Sequence, residues 1–325
     1  MSMSKRKGYK KLGEHEQKIR QKNIELINEN YEKLDHDINQ GYEAYINLYK
    51  RKDGKMFIVK IPKFNRQIDG REKEMLDKIK DCNYVMKYVD EPIFVNKTNL
   101  LIMEYFEDGN LEEFTNKYVI TVHDIIKLVS SIIDAVICFH SKHIFHLDLK
   151  LSNVVVDKHL NVAIIDFGMA VDDINDSCNG VIGCFDSAPP EMFEKKPYSC
   201  KKADIHNIGL MLKELVRKCN KTEENKMVYD ELLQISTNMV INRTPLEQVN
   251  DELKHLSTQS QFKPKKSLKQ KKSLKQKKSL KPKKSLKPKK SLKQKKSLKQ
   301  KKSLKQKKSL KQKKSLKPIF YRKFL

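Results

Sequence analysis

His146-Leu147-Asp148-Leu149-Lys150-Leu151-Ser152-Asn153, followed by Asp166-Phe167-Gly168, is the stretch on which the reading of this chain turns. Between the two lie the apolar runs Val154-Val155-Val156 and Val162-Ala163-Ile164-Ile165, each short and β-branched, as buried strands are. The pattern is H-x-D-L-K-x-x-N, a strand pair, then D-F-G. Its residue types form a chemical set. Asp148 is a carboxylate able to receive or orient a hydroxyl proton. Lys150 stands two residues on, so in an extended loop it projects to the same side. Asn153 and Asp166 supply hard oxygen ligands of the kind Mg²⁺ takes.

This order resembles the catalytic loop and the metal-binding loop of the eukaryotic-type protein kinases. A lone H-x-D would mean little; the full pattern at this separation is specific. The resemblance implies an α+β, two-lobed fold, with a small antiparallel β-sheet lobe carrying one helix and a larger, mainly helical lobe. It also implies ATP and Mg²⁺, with Asp148 and Lys150 in catalytic roles and Asn153 and Asp166 as metal ligands. Phosphoryl transfer needs positioning and charge neutralisation more than covalent help, which suits this set.

Upstream, Phe57-Ile58-Val59-Lys60-Ile61 is an apolar strand interrupted by one lysine. A lysine in such a strand requires a partner, because burying an unpaired charge is costly. In Arg71-Glu72-Lys73-Glu74-Met75-Leu76-Asp77-Lys78-Ile79, Glu72 lies three, four and seven residues before Met75, Leu76 and Ile79, and shares their helix face. Glu72 is therefore the expected partner of Lys60, and Glu74 points to solvent. The strand resembles the V-A-I-K strand whose lysine meets the α- and β-phosphates of ATP. Before it, Asn39-Gln40-Gly41-Tyr42-Glu43-Ala44-Tyr45-Ile46 occupies the place of the glycine-rich nucleotide loop. Only Gly41 of its glycines is kept, and Ile46 stands at the valine position. Leu100 to Met103 reads as a buried strand, and Glu104-Tyr105-Phe106 resembles the hinge between lobes. By that resemblance Met103 is the gatekeeper, and the backbone of Glu104 and Phe106 bonds the adenine. Ile125 to His140 is apolar nearly all round, which predicts a central buried helix.

Downstream, Gly183-Cys184-Phe185-Asp186-Ser187-Ala188-Pro189-Pro190-Glu191 resembles the close of an activation segment. Cys184 replaces a threonine that in Ser/Thr kinases bonds the catalytic Asp and Lys. Asp204 to Gly209 resembles the D-x-W-S-x-G helix, and Asn242 to Val249 resembles the closing K-R-P-T-x-x-E-L element, which implies that Arg243 pairs with Glu191. Leu147 stands where kinases switched by loop phosphorylation carry arginine. Activity without loop phosphorylation is therefore expected.

The chain has 325 residues and a net charge of +27, but the charge is local. From Lys265 to Pro318 the hexad K-K-S-L-K-[QP] runs nine times, with three lysines and no acid per copy. Those 27 lysines leave 41 basic and 41 acidic residues in the rest of the chain, which is neutral. Prolines and crowded lysines predict a disordered polycation. No aromatic side chain interleaves the lysines, so non-specific contact with nucleic acid or another polyanion is expected rather than sequence readout.

Three regions are expected: a charged extension over 1–37 with loose helical spacing at Ile19, Ile24, Ile27, Tyr31 and Leu34; a kinase domain over 38–257, with lobes at about 38–103 and 107–257; and the basic tail over 258–325. Six cysteines without a C-x-x-C pair, no apolar leader and no long apolar run predict reduced thiols, no membrane span and an intracellular place, in cytoplasm or nucleus. The trimmed length resembles small kinases of large DNA viruses, which would make that cell an infected host. The expected partner is a protein substrate with Ser or Thr acceptors, and the expected state is a monomer. The rival readings are a pseudokinase that uses the fold for docking, and a small-molecule kinase of related fold.

Overall fold

Alternating apolar residues put the first part of the chain into strands. In this computed structural model, residues 27–40, 44–62, 71–89, 101–259 and 269–270 are described, together with three single positions between 18 and 25. Strands β1 (Tyr31–Gln40), β2 (Ala44–Arg51), β3 (Met56–Pro62) and β4 (Leu101–Glu104) form one antiparallel sheet in that order. The register opposes Lys60 to Ile46 on one side and to Leu101 on the other. Helix α1 (Arg71–Lys78) buries Glu72, Met75 and Leu76. Tyr31, Tyr49, Phe57, Val59 and Ile102 make a core of their own on the sheet, with Ile27.

The expected helical extension gives way to strand at Tyr31. The Tyr31 ring meets Phe57 edge-on at 5.5 Å, and burial in the sheet core outweighs the helical spacing of the flanking isoleucines. The strand thus begins inside the region read as an extension. Gly41 lies outside the described residues.

The second lobe is helical. Asn110 caps α2 (Leu111–Lys117) by accepting from the Glu113 N–H at 3.0 Å. Thr121 and Asp124 form a reciprocal capping box at the start of α3 (Val122–Ser141). Helix α3 is the central buried helix expected, and each fully buried Ile or Phe on it contributes roughly 1.5–3 kcal/mol. After α2 comes the short strand β5 (Tyr118–Val119); after α3 come β6 (Ile144–Phe145), β7 (Val154–Val156), β8 (Val162–Ile164) and β9 (Val171–Asp172). The pairs β7–β8 and β6–β9 are antiparallel, and they frame the loop 146–153 and the turn 166–168.

Helices α4 (Cys200–Lys218), α5 (Lys226–Asn242) and α6 (Leu246–Gln259) complete the lobe. Gly209 lets α4 and α5 approach closely. A Cβ there would stand 2.8 Å from the Met239 Cβ and 3.1 Å from the Ser236 carbonyl oxygen.

The cysteines correct the expectation of reduced thiols. Cys82 is disulfide-bonded to Cys138 and Cys178 to Cys200, while Cys184 and Cys219 are free. Separations of 56 and 22 residues carry no sequence signature, since folding alone brings these thiols together. The argument for an intracellular place from unpaired thiols therefore falls. The 22-residue loop closed by Cys178–Cys200 corresponds to about 3 kcal/mol in the chain-entropy account.

Within the first repeat, the backbone of Lys269–Gln270 pairs antiparallel with β5 as strand β10, against the expectation of disorder there. A two-residue edge strand has unpaired backbone groups, and an extended neighbour satisfies them. The rest of the tail lies outside the described residues. No helix among the described residues is long and apolar enough to cross a membrane.

Candidate active site

The loop 146–153 is held from below by one buried carboxylate. Asp204, on α4, is fully buried. Its oxygens accept from the His146 N–H at 2.9 Å, the Leu147 N–H at 2.7 Å and the His140 ring at 2.9 Å. Those bonds pin the backbone just before Asp148. Leu147 takes a left-handed conformation (φ 61°), and its side chain packs into an apolar cluster with Cys178, Met192, Tyr198 and Cys200. His146 accepts from the Asp148 N–H through Nδ1 at 3.3 Å and faces the Ile165 carbonyl through Nε2 at 3.0 Å. That pairing holds the ring between the loop backbone and the strand before Asp166.

Asp148 is thereby presented with both oxygens directed. Oδ2 accepts from Lys150 Nζ at 2.7 Å and from Asn153 Nδ2 at 3.0 Å, and Oδ1 accepts from the Cys184 N–H at 2.9 Å. Asn153 Nδ2 also donates to the Asp148 carbonyl at 2.9 Å, which leaves Asn153 Oδ1 as the acceptor end of the amide. The loss of threonine at position 184 costs less than the sequence suggested. The contact to Asp148 is a backbone N–H, which any residue other than proline supplies. Gly183 makes the approach possible: it has φ 81°, and a Cβ there would lie 2.1 Å from the Leu147 carbonyl oxygen.

Lys60 is placed by β3 opposite α1. Its Nζ donates to both Glu72 oxygens, at 3.0 and 2.8 Å, and to Asp166 Oδ1 at 2.9 Å. Burial alone would lower the Lys60 pKa; Glu72 and Asp166 outweigh it and hold the ammonium above the ordinary lysine range. Burial also raises Asp166, but Lys60 beside it prevails and keeps that carboxyl below its usual range. At Glu72 burial wins over Lys60, and the carboxyl sits above its usual range. Asp166 itself adopts a left-handed backbone (φ 66°, ψ 61°), which turns its side chain back toward Lys60. Phe167 behind it is buried edge-on against Phe139 and His146.

These groups share one cleft of about 1010 Å³. Ile46, Ile58, Met103, Val155 and Ile165 give it apolar walls, and Lys60, Asp148, Lys150, Asn153 and Asp166 line its polar side. Glu104 and Phe106 line it at the strand β4 end; the Glu104 N–H donates to the Lys87 carbonyl, and the Phe106 carbonyl accepts from the Gly109 N–H. The structure thus brings together every site residue named from the sequence except Gly41, which is not among the described residues. Two oxygen donors, Asn153 Oδ1 and the Asp166 carboxylate, lie in the cleft beside a lysine, a set that fits a hard divalent cation bound with phosphate.

Sequence reasoning placed Asp204 and Gly183 in motifs but gave neither a task. A signal for Asp204 beside its motif was an acid followed by the apolar positions Ile205 and Ile208, a setting that asks for buried donors. Outside the cleft, the Arg243 guanidinium donates to Glu191 at 3.0 Å to each oxygen, as expected. Glu74 is exposed, also as expected, and pairs there with Lys78.

The chain is similar to several curated kinases. It is 27% identical over 209 residues to a probable serine/threonine-protein kinase of Dictyostelium discoideum, covering 59% of this chain and 15% of that protein. It is 31% identical over 121 residues to the serine/threonine/tyrosine-protein kinase HT1 of Arabidopsis thaliana, covering 35% and 30%. It is 32% identical over 155 residues to human activin receptor type-1B, covering 41% and 31%. The matched parts thus span less than a third of these relatives' lengths. A family model for the protein kinase domain matches residues 34–310, well over half of the sequence. With the two-lobed fold and the cleft between Lys60 and Asp148, this match identifies the chain as a member of the protein kinase domain family.

Proposed function

We propose that this chain transfers the γ-phosphoryl group of ATP to serine or threonine hydroxyls of proteins. One observation carries the reading. The Asp148 carboxylate, held by Lys150, Asn153 and the Cys184 N–H, opens on the same cleft as the Lys60–Glu72–Asp166 cluster. Asp148 orients the acceptor hydroxyl and takes its proton. Lys150, at 2.7 Å from Asp148, is positioned to follow charge from the γ-phosphate to the leaving oxygen. Lys60 holds the α- and β-phosphates, and Glu72 fixes Lys60. The apolar walls at Ile46, Met103 and Val155 take the base, whose polar edge meets the backbone of Glu104 and Phe106. Asn153 Oδ1 and Asp166 would hold Mg²⁺, which when bound neutralises the phosphate oxygens. Lysine two residues after the catalytic aspartate favours serine and threonine over tyrosine as acceptors.

The pseudokinase reading rested on the reduced glycine loop and on Cys184, and the backbone origin of the Cys184 contact weakens its second support. The test is incubation with labelled ATP, Mg²⁺ and a mixed-sequence protein, wild type against Asp148→Ala. Transfer by the wild type alone is expected; equal labelling by both would end the proposal. For the tail, the proposal is non-specific polyanion binding with steep salt dependence. Deletion of residues 263–325 should abolish salt-sensitive retention on DNA, and retention unchanged by the deletion would refute it.

A further inference from the structure

Resting on the proposed kinase activity, we infer that the preferred acceptor is a serine preceded by lysines and followed by leucine. The chain's own nine Lys-Lys-Ser-Leu-Lys repeats are such acceptors.

The first ground is an apolar shelf beside Asp148. The Cys184 N–H bonds Asp148, and the next residue, Phe185, is 70% exposed. Its ring stands edge-on to that of Phe193, itself 46% exposed, with centroids 5.1 Å apart. Two exposed phenylalanines in contact are costly on a surface unless something covers them. A hydroxyl delivered to Asp148 carries a side chain next to it in the acceptor toward this shelf, and of the two neighbours of each repeat serine, lysine and leucine, only leucine is apolar. Leucine matches the shelf in chemistry, and every repeat serine is followed by leucine.

The second ground is charge. Seven carboxylates and two lysines line the cleft. Glu104, Glu107 and Glu113 lie outside the Lys60–Asp148 cluster and are exposed, whereas Asp108 beside them is already paired with Lys117 at 3.0 Å. That acidic lip complements a peptide with lysines on both sides of the serine and no acid. The mutual attraction also speeds encounter.

The third ground is proximity. The first repeat contributes Lys269–Gln270 to the β5 edge, pairing with Val119 and Tyr118. The Tyr118 hydroxyl donates to Asp108 Oδ1 at 2.8 Å, so one side chain links the strand that holds the repeat to a residue lining the cleft.

In the transfer, the serine Oγ forms a bond to the γ-phosphorus while the bond from that phosphorus to the β,γ-bridging oxygen breaks. The electron pair of the broken bond leaves with ADP, and the serine proton passes to the Asp148 carboxylate. Each phosphate adds about −1.5 to −2 charges, so modification of the repeats lowers their positive charge.

The experiment uses the full-length chain with Mg²⁺-ATP and a synthetic peptide of residues 265–276. A companion peptide carries Leu268→Asp and Leu274→Asp, and a mixed-sequence protein is the reference substrate. The leucine peptide is expected to exceed the aspartate peptide in kcat/KM by about tenfold or more. Phe185→Lys in the enzyme should bring that ratio close to one; its exposure makes misfolding no obstacle. Mass spectrometry should find phosphate on repeat serines of the wild-type chain and none on Asp148→Asn. Equal rates for the two peptides, or a ratio unmoved by Phe185→Lys, would overturn the acceptor preference. Transfer to the reference protein without transfer to the repeats would overturn the inference and leave the kinase reading standing. No transfer to any substrate would overturn both.

Discussion

The two sides of the cleft are built by different forces. Its floor, the loop 146–153 with Asp166 and Gly183, is a set of directed bonds. Asp204 accepts three hydrogen bonds, Asp148 accepts three, and Gly183 fits only because it lacks a Cβ. Its roof, formed by β1 and β2, is a strand pair with register shifts between Lys33 and Asn39 and an apolar contact at Ile46. Hydrogen bonds depend on angle and identity, whereas apolar contact depends mainly on area. A directed floor therefore tolerates few residue choices, and an apolar roof tolerates many. That contrast accounts for an intact H-x-D-L-K-x-x-N beside a nucleotide loop in which only Gly41 keeps the glycine pattern.

The sharpest attempt to break the contrast is at Asp166. Asp166→Ala should lower phosphoryl transfer by at least about 10³-fold and also weaken Mg²⁺-ATP binding. Asp148→Ala should lower transfer by about 10²–10⁴-fold with nucleotide affinity near wild type. Titration with a fluorescent nucleotide separates the two; equal affinities in both variants would blur the division of labour on the floor.

Between floor and roof stands the Lys60–Glu72 pair. Lys60→Met leaves Glu72 buried without its cation, and about 3–5 kcal/mol of stability should be lost. The pH dependence has a definite sign. The Glu72 carboxyl is already raised in the folded state, and removing Lys60 raises it further. Unfolding then favours ionisation, so the variant should lose stability as pH climbs above about 4.3, the unfolded glutamate value. Urea titrations at several pH values check this, and Glu72→Gln in the same background should flatten the profile.

The roof should respond mildly. Ile46→Ala removes part of an apolar wall, worth about 1 kcal/mol, and should raise the KM for ATP by about fivefold with little change in kcat. A loss comparable to that of Asp166→Ala would make the roof as exacting as the floor.

The smallest effect is expected at Ser177. The adjacent Cys178 is tied to Cys200 by a disulfide and to Tyr198 by two backbone bonds, of 2.9 and 3.0 Å. Leu147 packs into the same cluster, where a phosphate-binding arginine would have to sit. The segment is thus clasped by covalent and apolar contact, and Ser177→Ala should leave the rate within about twofold in a steady-state assay. Silencing by this change would make loop phosphorylation part of the mechanism.

The sequence was most legible where chemistry and spacing coincide. A lysine inside an apolar strand demanded a partner, and helical spacing named Glu72. Asp148, Lys150 and Asn153 lie within six residues, so their cluster depends on one loop and little else. Legibility failed where helical and strand readings competed, as at Tyr31, whose helical spacing lost to an aromatic contact with Phe57. It failed again at the cysteines, whose partners lie 56 and 22 residues away.

By itself, then, the sequence determined the family resemblance, the central helix, the Lys60–Glu72 and Arg243–Glu191 pairs and the composition of the site. The central helix and the Lys60–Glu72 pair rest on local periodicity and on the rule that a buried charge needs its opposite, whereas the Arg243–Glu191 pair and the roles within the site rest on the resemblance. Only the tertiary structure decided that Cys184 serves Asp148 through its backbone, that Asp204 anchors the loop, and that Phe185 and Phe193 form an exposed shelf beside it. Backbone amides carry no residue identity. Contacts between segments tens of residues apart depend on how helices and strands pack, which no local pattern records.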